Sequence, residues 1–160
     1  MIIKILLSGD GGQGIQLMSD IICRSAIEQG FFVSHIHNYG LEQRGGVSLA
    51  FIQISDSEIA YPKFSKPDIL VILSQQAEER TRQYQIANCK LQIAEYRELL
   101  EKNNIPAKSY NIFFLGLIAR ILEEKKIVKK DEIFRLLEEK LRQKVNWEEN
   151  ERAFELAKSI

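Results

Sequence analysis

Residues 4–22 read KILLSGDGGQGIQLMSDII. Residues 2–8 form an apolar run with Lys4 as its one charge, the pattern of a buried strand. Ile15, Met18, Ile21, Ile22 and Ala26 then mark one stripe of a helix over residues 15–29. Gly30 is placed to cap its C-terminus. Between strand and helix stand Gly9, Gly11, Gly12 and Gly14. A strand, a tight glycine turn and a helix together open an α/β unit.

The alternation continues outward. Residues 31–37 and 47–54 read as strands, and the uninterrupted ILVIL at 69–73 reads as a central parallel strand. Helix formers occupy 75–85, a short strand falls at 91–94 and a short helix at 97–102. Residues 111–124 form a strongly apolar helix, and helices follow to the end with turns near Val128 and Asn146. The dense charges of 123–144 form the wet face of helices whose buried face is Ile133, Phe134, Leu137 and Leu141. Trp147 and Phe154 make a core or interface stripe on the last helix. The prediction is an α/β layered sandwich: a mostly parallel, Rossmann-like sheet flanked by helices, with a helical C-terminus. Residues 1–160 are expected to form one domain.

Composition narrows the function. Hydrophobic residues make up 45% and charged residues 28%, the mix of a globular protein. Twenty-two basic and 22 acidic side chains cancel, so no global field draws nucleic acid or anionic membrane. No apolar run is long enough to span a bilayer and no signal peptide precedes the first strand, so the expected location is cytoplasmic. Cys23 and Cys89 lie too far apart to start a zinc or iron–sulfur ligand set, and Cys23 falls among apolar helix positions as a buried small side chain.

Gly9, Gly11 and Gly14 fit G-x-G-x-x-G in the strand-to-helix context that gives the pattern meaning. Such a turn lets backbone N–H groups and a helix N-terminus meet a phosphate. A dinucleotide site also needs an acid ~20 residues on to hold the ribose. The expected tip reads His35-Ile36-His37-Asn38-Tyr39, with no acid before Glu42, which counts against NAD. The plainer alternative is a turn that only packs strand against helix. Gly9-Asp10-Gly11 with Asn38 also matches part of a thiamine-diphosphate signature, but Tyr39 stands where a second asparagine belongs.

SGDGGQGI, then YGLEQRGGVSLAFIQISDSEIAYP, PDILVIL, YNIFFLGLIARIL and NERAF together resemble the gamma subunit or domain of 2-oxoacid:ferredoxin oxidoreductases over nearly the whole chain. That family includes the pyruvate, 2-oxoglutarate, branched-chain 2-oxoacid and indolepyruvate enzymes. The resemblance implies a subunit of a heteromeric enzyme that oxidatively decarboxylates a 2-oxoacid to an acyl-coenzyme A. It implies alpha, beta (thiamine-binding) and delta (ferredoxin-like) partners, with ferredoxin or a similar acceptor. Thiamine diphosphate and iron–sulfur clusters are expected on those partners, coenzyme A as co-substrate, and no activity from the chain alone. The choice of 2-oxoacid and acceptor then falls to the partners. One departure stands out: RELLEKNNIPAKSYN, before the helix at 111–124, is shorter than the family's usual segment.

The resemblance makes Gly11, Gly12, Gln13, Gly14, Arg44, Gly45 and Gly46 the cofactor-binding candidates. Glycine amides and the Gln13 carboxamide offer donors to the phosphates of coenzyme A, and Arg44 offers a bidentate cation. Asp10 counts against a phosphate, and Glu42 is expected to order the loop or meet a neighbouring subunit. No catalytic residue and no metal ligand is assigned. His35 and His37 share one strand face, but two ligands do not close a zinc site, so they are read as hydrogen-bonded structural histidines. Tyr61-Pro62 is read as a rigid turn. The competing classes are a non-catalytic nucleotide-binding regulatory module and a purely structural assembly subunit.

Overall fold

The computed structural model describes residues 1–39, 46–85 and 87–160. Five strands are present: β1 (Ile2–Asp10), β2 (Phe32–Tyr39), β3 (Val47–Ser55), β4 (Ile69–Ile72) and β5 (Cys89–Gln92). They form one sheet in the order β2-β3-β1-β4-β5. β1 is central, with Leu6 set between Phe51 of β3 and Leu70 of β4. Its residues Ile5, Leu6 and Leu7 are fully buried, as the apolar run requires.

The layered α/β expectation holds, and its parallel half is β1-β4-β5. β3 instead runs antiparallel to both β1 and β2. The reason lies in chain length. Only a short connection joins β2 to β3, whereas a parallel crossover needs a dozen or more residues. The first crossover, α1 (Ile15–Glu28), leads to β2, which runs in the same direction as β1, and β3 then fills the gap between them.

α1 buries Ile15, Met18, Ile21, Ile22, Cys23 and Ala26, the stripe read from the sequence. Gly30 adopts φ 91° beyond its end. Gly30 N–H donates to Ile27 O and Phe31 N–H to Ala26 O, the paired bonds of a Schellman cap. Burial, aided by the nearby Asp20 charge, pushes the Cys23 thiol up to about 12, so it behaves as a core side chain. The helix expected over 75–85 breaks into α2 (Gln75–Arg80) and a 3-10 turn (Arg82–Tyr84). At the break, the Thr81 hydroxyl donates to Ala77 O at 2.7 Å.

The described residues form two compact units, 1–95 and 96–160. α3 (Ile93–Lys102) crosses that boundary, starting two residues into the expected strand. In the second unit α4 (Tyr110–Glu124) buries Phe113, Phe114 and Ile118 completely. Tyr96 meets Phe113 and Phe114 edge-on, with ring centroids 5.3 and 5.5 Å away. α5 (Lys130–Leu141) buries Ile133, Leu136 and Leu137, with Phe134 and Leu141 half-buried at its margins. Phe134 lies against both Trp147 and Phe154 of α6 (Trp147–Lys158). The Ser109 hydroxyl donates to Asn150 Oδ1 at 2.7 Å, which satisfies a buried polar pair. Among the described residues no helix is long and apolar enough to cross a membrane.

α4 and α6 approach closely at Gly116, where an added Cβ would stand 2.6 Å from Ala157 Cβ. Gly116→Ala should therefore lose about 1–3 kcal/mol in urea unfolding, although alanine favours a helix by ~1 kcal/mol. Adding Ala157→Gly should restore most of the loss. A Gly116→Ala variant more stable than its parent would contradict this packing.

Candidate functional site

The glycine turn joins β1 to α1 at the C-terminal edge of the sheet. Gly12 (φ 90°) and Gly14 (φ 77°) take left-handed conformations that glycine adopts without strain. Gly9 answers a different need. A Cβ there would lie 2.9 Å from Gln13 Oε1 and 3.2 Å from Leu73 Cβ.

Gln13 ties the turn together. Asp10 N–H donates to Gln13 Oε1 at 2.6 Å, and Gln13 Nε2 donates to Leu73 O at 3.0 Å. Its backbone N–H donates to Asp10 O at 3.1 Å. The Ser74 hydroxyl donates to Asp10 Oδ1 at 2.7 Å and accepts from Ala77 N–H, capping α2. Asp10, Gln13 and Ser74 thus clamp the ends of β1 and β4 side by side. Gly11 N–H donates to Gly46 O at 3.0 Å, which brings the end of the Arg-Gly-Gly segment onto the turn.

The two helices leave these strands on opposite faces. Leu6 and Leu70 pack with Ala77 of α2 on one face. His37 pairs across β2 and β3 with Ala50, which pairs with Leu7, and Ser19 of α1 bonds His37 on that other face. Adjacent parallel strands whose helices diverge leave a crevice above their C-terminal ends, the place where open α/β sheets hold ligands.

The sequence candidates separate here. The Gln13 carboxamide bonds strand backbone at both ends, so it positions the turn, and one Nε2 hydrogen remains as a donor. Gly11 N–H is likewise taken. Among the described residues, Gly12 and Gly14 N–H meet no backbone acceptor, and α1 carries no acid in its first turn. Those amides and the helix N-terminus are the donors that the turn can offer to an anion. Glu42, Gln43, Arg44 and Gly45 lie outside the described residues.

Two features were not assigned from sequence. A cleft of about 900 Å³ opens on the α2 face, lined among others by Lys4, Phe51, Lys63, Phe64, Lys66 and Tyr84. Phe64 and Tyr84 both stand edge-on to Phe51, at 5.4 and 5.6 Å. The signal was present in residues 61–67, YPKFSKP, where cations interleave with aromatics. On the α1 face, Asp20 supplies a third metal-ligating side chain beside His35 and His37. His37 is hydrogen-bonded as expected, through Nε2 to Ser19 Oγ at 3.2 Å. Among the described residues, the buried His35 Nε2 has no hydrogen-bond partner.

The sequence pattern of the pyruvate ferredoxin/flavodoxin oxidoreductase family matches residues 4–160. The chain belongs to this family. Among relatives of this oxidoreductase family, the 2-oxoglutarate synthase subunit KorC of Methanocaldococcus jannaschii is 47% identical over 78 residues, 48% of this chain and 42% of that protein. The chain therefore spans less than half the length of the curated relatives it matches. The 2-oxoglutarate:ferredoxin oxidoreductase from Magnetococcus marinus, with 2-oxoglutarate, coenzyme A and succinyl-CoA bound, has a similar fold. It covers 99% of this chain and 31% of its own, with TM-score 0.75 and 16% identity. The gamma subunit of a keto/oxoacid ferredoxin oxidoreductase from Geobacter sulfurreducens covers 97% of this chain and 95% of its own, with TM-score 0.67 and 22% identity. The family resemblance read from the sequence is borne out, and so is the layered α/β fold.

In this member of the oxidoreductase family, Gln13→Leu should strand the Asp10 N–H and Leu73 C=O groups and cost about 2 kcal/mol. Thermal unfolding measures the loss. An unchanged melting temperature would show that the bridge does not hold the strand ends.

Proposed function

We propose that this chain is the gamma subunit of a multi-subunit 2-oxoacid:ferredoxin oxidoreductase and that it holds coenzyme A for the complex. The observation that carries the reading is the cleft, where three lysines surround a group of aromatic rings. Coenzyme A presents phosphates at one end beside an adenine ring. Ammonium groups suit the phosphates, and the Phe64 and Tyr84 rings suit the base. The Gly12 and Gly14 amides, with Arg44, offer a second anchor at the turn. Decarboxylation and electron transfer would be supplied by thiamine diphosphate and iron–sulfur clusters on partner subunits. This chain's share is to bind and orient the thiol carrier, so it needs no acid–base pair of its own. The family match over residues 4–160 and the bound coenzyme A of the Magnetococcus marinus enzyme support the reading. The location in the cytoplasm belongs to the same proposal.

Reconstituted complex carrying Lys63→Ala and Lys66→Ala tests this. A charge-assisted contact is worth roughly 1.5–3 kcal/mol, so each one lost should raise the KM for coenzyme A about tenfold or more. Release of carbon dioxide from the 2-oxoacid in the absence of coenzyme A should stay at the parent level. Arg44→Ala in the same assay reports on the turn. Unchanged coenzyme A dependence in an assembled complex would exclude the cleft, and tight NAD or ATP binding by the chain would favour a regulatory nucleotide module.

A further inference from the structure

We infer a divalent transition-metal site on the α1 face of the sheet, formed by Asp20 of α1 with His35 and His37 of β2. One donor atom from each residue lies within 4.8 Å of the other two. A tetrahedral ion with bonds of ~2.0 Å holds its donors roughly 3.3 Å apart, so side-chain rotations that draw the donors in by up to ~1.5 Å close the set. Two imidazoles and one carboxylate suit a borderline cation of the zinc type. All three residues are half-buried.

Hydrogen bonding orients the His37 ring. The Ser19 hydroxyl donates to Gln16 O at 2.9 Å and lies 3.2 Å from His37 Nε2. That contact fixes the ring against α1, as the outer partners of metal-bound histidines do.

His35 supplies an independent sign. Its Nε2 is buried and meets no hydrogen-bond partner among the described residues, a cost that an ion would remove. Its ring lies 4.3 Å from the His37 ring, with the planes tilted by 60°. The ligands come from a helix and a strand, and the strand is an edge of the sheet. A bound ion would pin that edge to α1. The site is on the opposite face from the lysine–aromatic cleft and does not rest on the coenzyme A reading.

The test is zinc titration of the full chain after chelation, by calorimetry, with cobalt as an optical reporter. One ion per chain is expected. Asp20→Asn and His35→Gln should each weaken binding at least tenfold, and Cys23→Ser with Cys89→Ser should leave it intact. Only two histidines are present, so their ring nitrogen resonances in the unaltered chain report on this site alone. Zinc should shift a ring nitrogen of both His35 and His37. No saturable binding, binding lost with the cysteines, or histidine resonances indifferent to zinc would each overturn the site. The resonance measurement decides the question even if a variant fails to fold.

Discussion

The Gln13 carboxamide bonds the backbone of two neighbouring strand ends at once, accepting from Asp10 and donating to Leu73. Most of the candidate site depends on that bridge. It fixes where β1 stops and where α1 starts, and it sets the height of β4 beside them. Ser74 then links Asp10 to the first turn of α2. One neutral side chain therefore orders a crest from which two helices depart on opposite faces. A charged residue would serve badly here, because the site needs a donor and an acceptor on the same planar group.

Much of the fold was legible because it rests on local rules. The Ile2–Asp10 run, the α1 stripe and the Gly30 cap each follow from spacing alone, and each stands where the sequence puts it. Sheet direction was less legible. Nothing in residues 47–54 says that this strand returns between β1 and β2, since apolar alternation is the same in either direction. Thr81 likewise ends α2 through a back-bond to Ala77 that propensity does not register.

The site divides along the same line. The turn was readable because glycines mark positive φ, and Gly12 and Gly14 both have it. The occupation of Gln13 was not readable, because its partner Leu73 is 60 residues away in sequence. Asp20 and the two histidines are separated by the remainder of α1 and a turn, so only the folded placement of β2 against α1 brings them together. Lys4, Lys63 and Lys66 meet for the same non-local reason.

The return of β3 between β1 and β2 has a consequence in time. Ile2 pairs with Ser55 and Ile5 with Ile69, so the central strand gains both neighbours only through distant segments. The β2–β3 pair is joined by a short connection and can form first as a local hairpin. The β1–β3 pairing closes a much longer stretch of chain. Until residues beyond β4 have left the ribosome, β1 carries an open edge of buried-type side chains. Loop closure of this kind is slow, so the topology of the first unit favours slower folding than the local contacts of the helical second unit.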